Sequence, residues 1–324
     1  MDGVHVGRSG LQVSRLCLGT MIFGSQRDQS EAFAIMDTAA ELGIDFLDVA
    51  DVYPVPPSPE TWGRTEEIVG AWLQGKRERF VVATKCVNRV GLGRNDSGGS
   101  RKHVIEACEA SLRRLKTDRV DVYYLHHSDL DAPMDETLEA LDRLMRDGKV
   151  LYIGVSNFEA WQVAMAMEAI AKSNLVRIAV LQPRYNLLNR PYERDLLPLA
   201  RASGMGVVPY NPLGAGVLTG KYKRGGEPPA ESRFAQGDYG KMYQDRYWSN
   251  GMFDVADAVA ELARENGCTP AQLALAWLLA QPDVTAPIIG ASRPDQLVET
   301  AKAVGLSLSE ATMLRLDQVS QPFR

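Results

Sequence analysis

Short β-branched or leucine-rich runs recur along the chain and alternate with longer segments whose apolar residues fall three and four apart. The short runs are RLCLG (15–19), DFLD (45–48), FVVAT (80–84), VDVYYL (120–125), LYIGVS (151–156), IAVLQ (178–182), GVVPY (206–210) and APIIG (286–290). Their length and composition predict eight strands. Between them, Ala32, Ile35, Met36, Ala39 and Ala40 mark one helical face, and Val104, Cys108, Ser111, Leu112 and Leu115 another. Ahead of the first run, VHVGRSGLQVS holds two alternating stretches around Gly7 to Gly10 and predicts a hairpin. Strand followed strictly by helix implies a parallel sheet. Eight such units in 324 residues predict an α/β fold, a closed (β/α)8 TIM barrel with an N-terminal β-hairpin and long active-site loops. One domain over 1–324 is expected. The glycine- and proline-rich KRGGEPPAESRF (223–234) falls inside the seventh unit and reads as a functional or mobile loop on one barrel face.

A doubly wound dinucleotide-binding sheet would place GxGxxG directly after its first strand. GLGRND (91–96) and GAGVLTG (214–220) have other spacings and follow the third and seventh runs. Apolar content of 45% and charged content of 24% belong to a globular protein. The formal charge of −5, with lysines and arginines spread along the chain, offers no basic stripe for nucleic acid or an anionic membrane, so small molecules are the expected partners. MDGVHVGRSG has no apolar leader, and the longest apolar helix-like run, Ala271 to Ala280, falls short of the about 20 residues that span a bilayer. A cytoplasmic location is expected. Cys17, Cys86, Cys108 and Cys268 lie far apart without a CxxC pair and read as buried thiols, Cys86 standing out because it follows Lys85.

In a barrel of this kind chemistry gathers at the C-terminal ends of the strands. There the chain carries Asp48 and Tyr53, then Lys85, His126, Ser156 with Asn157, Gln182, and Tyr210. Six consecutive ends aimed at one mouth exceed what packing explains. DFLDVADVYPVPPSPETWGRT (45–65) poses the question sharply, because carboxylates and a phenol at the tip of a buried strand need partners or a task.

These residues resemble the aldo-keto reductase family. The resemblance rests on LCLGTMIFG, FLDVADVY, ATK, SLRRLKTDRVDVYYLHH, DGKVLYIGVSNF, LQPRYNLLNR, VVPYNPLGAGVLTGKY and PIIGASRPDQL, and covers nearly the whole chain. The loop YPVPPSPETWGRTEEIVG is similar to a bacterial branch that includes relatives of the potassium-channel β subunits. The resemblance implies NADPH-dependent, reversible reduction of an aldehyde or ketone. Tyr53 would be the general acid, Asp48 and Lys85 its supporting pair, and His126 the group that orients the substrate carbonyl. A phenol with a pKa of ~10 exchanges protons poorly at neutral pH, and a nearby ammonium stabilises its phenolate.

For the cofactor, the resemblance assigns Ser156, Asn157 and Gln182 to the nicotinamide carboxamide and Tyr210 to stacking on the ring. Asn211, Leu213 and Lys221, within the segment from Asn211 to Lys221, would meet the pyrophosphate. Gly290, Ser292, Arg293, Gln296 and Glu299 would surround the adenosine end, Arg293 pairing a 2′-phosphate so that NADP is favoured over NAD. Gly290 stands where well-known reductases carry a lysine, and Thr300 where many carry asparagine.

Other readings exist. Asp48 with Lys85 alone fits a structural ion pair, and the added Tyr53 and His126 favour catalysis. His126–His127 lacks the spacing of a metal pair, so no metal is expected. Arg293 fits a solvated helix start, Tyr185 a core or pocket residue, and Glu66 and Glu67 a first helical turn. An NADPH-binding regulatory barrel with slow turnover is the alternative from another class, while a hydrolase would need facing carboxylates that the sequence lacks. Met21, Phe23, Val55, Trp62, Val87, Asn88, His127 and Trp248 are the expected pocket walls.

Overall fold

The structure is a computed structural model that describes residues 3–230 and 232–324, so Glu231 of the glycine- and proline-rich loop lies outside the described residues. Strands β1 (Gly3–His5) and β2 (Gln12–Ser14) pair antiparallel as the expected hairpin. The parallel strands are β3 (Cys17–Gly19), β4 (Phe46–Asp48), β5 (Val81–Cys86), β6 (Val120–Leu125), β7 (Val150–Ser156), β8 (Ile178–Gln182), β9 (Gly206–Val207) and β10 (Ile288–Ile289). Their order is β10-β3-β4-β5-β6-β7-β8-β9. Backbone bonds from Thr285 N–H to Val207 O and from Ile288 N–H to Pro209 O, both 2.8 Å, join the last two and close the barrel.

Helices α1 (Gln29–Glu41), α2 (Arg64–Trp72), α3 (Arg101–Leu115), α4 (Met134–Arg146), α5 (Ala160–Ser173) and α6 (Leu196–Ser203) alternate with the strands. Then come α7 (Gly237–Tyr247), α8 (Asn250–Glu265), α9 (Pro270–Leu279), α10 (Pro294–Ala301) and α11 (Glu310–Ser320). Capping boxes start α1 at Asp28 with Glu31 and α9 at Thr269 with Gln272. The apolar run at 271–280 is α9, buried in the outer shell, and no helix among the described residues is long and apolar enough to cross a membrane. Four strands are shorter than the pattern predicts, β3 and β4 by two residues and one, β9 and β10 by three each. Pro209 and Pro287 have no N–H to give the ladder, so β9 and β10 each keep two residues. The long loop also holds more order than expected, since a helical turn at Arg233–Ala235 leads into α7.

Two apolar shells result. The outer one, between strands and helices, runs from Leu16 to Leu316. The inner one fills the bore with Cys17, Phe46, Ala83, Val122, Tyr124, Val180, Val208, Ala286 and Ile288. Val6 and Val13 of the hairpin join it, so the hairpin plugs the N-terminal end and leaves the opposite end for chemistry. The plug sits close: a Cβ on Gly206 would come within 2.6 Å of Val6 Cγ1. Strand geometry then places the polar residues, because side chains two apart share a face. Asp48, Lys85, His126, Gln182 and Tyr210 each stand two residues beyond an inward residue: Phe46, Ala83, Tyr124, Val180 and Val208. They therefore line the open mouth.

The bore is filled to contact at Gly154, which faces Tyr124 across the β6–β7 pairing. A Cβ there would lie 2.3 Å from the Tyr124 ring. Gly154→Ala should cost about 1–3 kcal/mol of stability through overpacking, and Tyr124→Leu in the same chain should restore most of it. Denaturant titration of the two variants checks this; equal losses would mean that the ring does not set the cost.

Candidate active site

The floor of the mouth is a buried ion pair. Lys85, from inside β5, has no solvent exposure, and its Nζ donates to Asp48 Oδ1 at 2.5 Å, to Val49 O at 2.7 Å and to the Tyr53 hydroxyl at 3.4 Å. Gln182 Nε2 donates to the other oxygen of Asp48 at 2.7 Å. Tyr53 is half-buried above this floor, on a loop tied down on both sides. Val55 N–H donates to Met21 O at 2.8 Å, and Thr65 Oγ1 donates to Phe23 O at 2.7 Å. Burial and then Asp48 hold the Tyr53 phenol well above its usual value of 10.0, while Arg233 pulls the other way. The phenol is protonated across the neutral range.

The His126 ring meets Tyr53 edge to face, with centroids 5.9 Å apart. Its Nδ1 lies 2.7 Å from Asn88 Nδ2. With an amide N–H directed at it, Nδ1 is the acceptor and the proton resides on Nε2. Burial, then Lys85 and His127, push the imidazole well below its ordinary 6.5, which agrees with a neutral ring. Asn88 reaches it because Val87 adopts φ 93, a left-handed conformation that a β-branched residue rarely takes. His127 turns outward, with Nδ1 2.9 Å from Ser128 O.

On the far side, Ser156 Oγ donates to Gln182 O at 2.8 Å, and Asn157 Nδ2 donates to His126 O at 2.8 Å. The Tyr210 hydroxyl donates to Asn157 Oδ1 at 2.7 Å. Asn157 and Asn211 both adopt φ 55, which asparagine tolerates better than most residues. Asn157 Nδ2 also donates to Ser156 Oγ at 3.1 Å, so Asp48, Tyr53, Lys85, His126, Ser156, Asn157, Gln182 and Tyr210 form one hydrogen-bonded group.

The outer cofactor candidates form a second zone. Leu213 precedes a loop in which Gly214, Ala215 and Gly216 all have positive φ. Lys221 holds its ammonium 4.9 Å from the Tyr222 ring, its pKa lowered by burial and then by Arg233. At the start of α10, Gln296 Oε1 accepts from Ser292 N and Oγ at 3.0 and 2.8 Å. Gly290 is exposed with open space where a side chain would be. Arg293 is exposed and pairs with Asp295 at 3.1 Å, and Glu299 accepts from Gln272 at 2.7 Å and pairs with Lys302 at 2.7 Å. An exposed arginine and a positive-φ glycine loop beside Tyr210 fit a dinucleotide with an anionic backbone.

Several readings change. Phe23 and Val87 are sealed in the outer shell and cannot wall a pocket. Trp248 packs on Phe234 at 4.7 Å and on Phe253 at 5.2 Å, bracing the loop before α7. Tyr185 is core, its hydroxyl donating to Glu193 at 2.7 Å. Cys86 points away from Lys85 into the outer shell, and burial pushes its thiol far above the range of a reactive one. Glu66 is more than a first-turn residue, since it is fully buried and accepts from Thr84 Oγ1 at 2.6 Å and from Arg114 Nε at 2.7 Å. Arg233, Tyr239 and Tyr243 all act on Tyr53 from the 232–247 segment, a closeness that no local pattern announces. Among the described residues no group of three or more His, Cys, Asp or Glu could hold a metal ion.

The chain belongs to the aldo/keto reductase family, whose profile matches residues 15–321. It is 38% identical to "Uncharacterized oxidoreductase YrpG" of Bacillus subtilis (strain 168), over 98% of this chain and 96% of that one. It is 39% identical to "Probable voltage-gated potassium channel subunit beta" of Oryza sativa subsp. japonica, over 94% and 91%. It is 33% identical to "L-glyceraldehyde 3-phosphate reductase" of Escherichia coli (strain K12), over 97% and 91%. Membership makes it an oxidoreductase of carbonyl compounds, in a family that uses NAD(P)H.

One buried acid stands apart from this chemistry. Asp51 is fully buried behind the Tyr53 loop, and neither of its carboxyl oxygens has a partner among the described residues. Burial and then Glu66 raise its pKa well above 3.8. A raised acid gives its full stability below the unfolded value and loses it as pH climbs towards the folded value. Asp51→Asn should therefore melt higher than the parent near pH ~8, with the gain shrinking towards pH ~4. Thermal melts across that range test it, and a gain independent of pH would mean that Asp51 is ionised in the fold.

Proposed function

We propose that the protein reduces an aldehyde or ketone to an alcohol with NADPH, and that Tyr53 donates the proton. The observation that carries this reading is the Lys85 ammonium, buried between Asp48 and the Tyr53 hydroxyl at 2.5 and 3.4 Å. NADPH, when bound, supplies the hydride that the carbonyl carbon takes up. As negative charge grows on the carbonyl oxygen, Tyr53 O–H and His126 Nε2–H both donate to it, and Tyr53 transfers its proton. Lys85 carries the phenolate that is left, and Asp48 keeps the ammonium aimed. Solvent at the half-buried hydroxyl then returns the proton. A phenol held above its usual pKa carries, near neutrality, the proton that reduction needs from its donor. Neutral His126 can donate without first losing a charge.

The substrate is a small-molecule carbonyl compound. Met21 and Val55, bonded backbone to backbone beside the Tyr53 loop, and Asn88, bonded to His126, would border the mouth and suit a mixed apolar and polar substrate, while the outward-turned His127 would not. For the cofactor, Ser156, Asn157 and Gln182 would hold the carboxamide and Tyr210 the ring, with Asn211, Leu213 and Lys221 at the pyrophosphate. Arg293 would leave Asp295 for the 2′-phosphate, because both are exposed and their pair is worth little in water.

Tyr53→Phe should lower turnover by about 10²- to 10⁴-fold and leave NADPH affinity nearly unchanged. Nicotinamide absorbance against a panel of aldehydes, ketones and sugars reads the first and calorimetry the second; near-parental turnover would remove Tyr53 from the role. Arg293→Ala should raise the NADPH dissociation constant by about one decade or more and barely move that of NADH. Equal losses for the two nucleotides would place Arg293 elsewhere.

A further inference from the structure

Gln182 makes a contact that binding a cofactor does not require. Its Nε2 donates to Asp48 Oδ2 at 2.7 Å while Lys85 holds Oδ1 at 2.5 Å. A carboxylate accepts only, so the amide must present its nitrogen there, and its oxygen is turned the other way. That oxygen accepts no hydrogen bond among the described residues. β4 and β8 stand four places apart in the closed order of eight, so this bond crosses the bore from one side to the other. Ser156 Oγ fixes the backbone carbonyl of Gln182 at 2.8 Å, which leaves the side chain with one well-defined base from which to reach Asp48.

We propose that Gln182 is a positioning residue that joins the cofactor side of the mouth to the proton donor, holding Asp48 and through it Lys85 and Tyr53. The proposal rests on the carbonyl-reductase reading and deepens it. Without the amide, Asp48 keeps one oxygen on Lys85 and leaves the other buried without a donor, a costly state that it relieves by turning. Lys85 follows its carboxylate. Its third contact, the 3.4 Å approach to the Tyr53 hydroxyl, is the longest of the three and is the first to be lost. Tyr124 is the other donor at hand, since its hydroxyl is buried without a partner among the described residues.

The test compares the parent with Gln182→Met, which keeps length and loses the donor. In cofactor-free protein the Lys85 Nζ resonance, seen by ¹⁵N NMR and assigned with Lys85→Met, should shift in Gln182→Met and not in Tyr210→Phe. At saturating NADPH, Gln182→Met should lose about tenfold in kcat, yet lose less than about threefold more when added to Asp48→Asn, because both act on one carboxylate. Losses that multiply in the double variant would overturn the proposal. So would a Lys85 resonance unmoved both in Gln182→Met and in Gln182→Met with Tyr124→Phe, with only the NADPH dissociation constant changed, which would leave Gln182 as a cofactor ligand alone. If Gln182→Met does not fold, Gln182→Glu, which sets a second carboxyl against Asp48, should move the same resonance. If Tyr124 takes over, Gln182→Met with Tyr124→Phe should restore the shift, and no shift in that pair also overturns the proposal. The NMR arm needs no turnover. Failure of the parent to reduce any carbonyl would count against the reductase reading alone.

Discussion

A charged ammonium with no solvent exposure constrains everything around it. Lys85 has three N–H donors and meets three acceptors: Asp48, Val49 O and the Tyr53 hydroxyl. Burying an ion costs several kcal/mol unless its partners are present and well aimed, and removing one partner leaves the charge stranded. The barrel meets that demand through register. β4 and β5 pair Asp48 with Ala83, which sets Lys85 one inward position further on and within reach of the carboxylate. Val49 lies just past the end of β4, where its carbonyl is free to accept. The demand then passes outward, since Asp48 needs a second donor, finds it in Gln182, and so ties opposite walls of the bore together.

Much of this was legible in the sequence because a strand repeats every two residues. Asp48, Lys85, Gln182 and Tyr210 follow inward apolar residues at a spacing of two, so the alternation that marks a strand also marks the mouth. All eight strands were visible for the same reason. Their lengths were less so at the end of the barrel, where Pro209 and Pro287 stop the ladder although the apolar run continues. Contacts that depend on distant pairing left no local sign. The bond between residues 182 and 48 is one. The approach of Asn88 to His126 is another, since it depends on the positive φ of Val87, a conformation that valine does not advertise. Glu66 sits in a first helical turn, where an acid is expected on dipole grounds alone. Only the neighbouring helix, with Arg114, shows it to be a buried pair.

That pair matters for how Tyr53 is held. Thr65 and Glu66 lie in the first turn of α2, and both face inward: Thr65 to the carbonyl of Phe23, Glu66 to Thr84 and Arg114. α2 is thereby fixed to β5 and α3 immediately beyond the proline-rich loop. The loop from Tyr53 to Gly63 is long, but both of its ends are anchored, which lets a phenol on irregular backbone keep its place over a strand-borne lysine. Asp51 lies behind the same turn with no side-chain partner among the described residues, so this anchoring carries a cost in stability.

The opposite rim is built on other principles. Between Gly214 and Trp248 the described residues show glycines at positive φ, exposed charges and an aromatic cluster of Tyr222, Phe234, Tyr243 and Trp248 in place of strand pairing. Aromatic contacts of this kind are broad and tolerate small shifts, whereas the floor's hydrogen bonds do not. Arg233 spans the two regimes. Its guanidinium sits 5.3 Å from the Tyr243 ring, and its charge reaches both Tyr53 and Lys221. A floor fixed by an ion pair and a rim held by stacking differ in tolerance: the first holds Tyr53 in one place, and the second can adjust by small shifts.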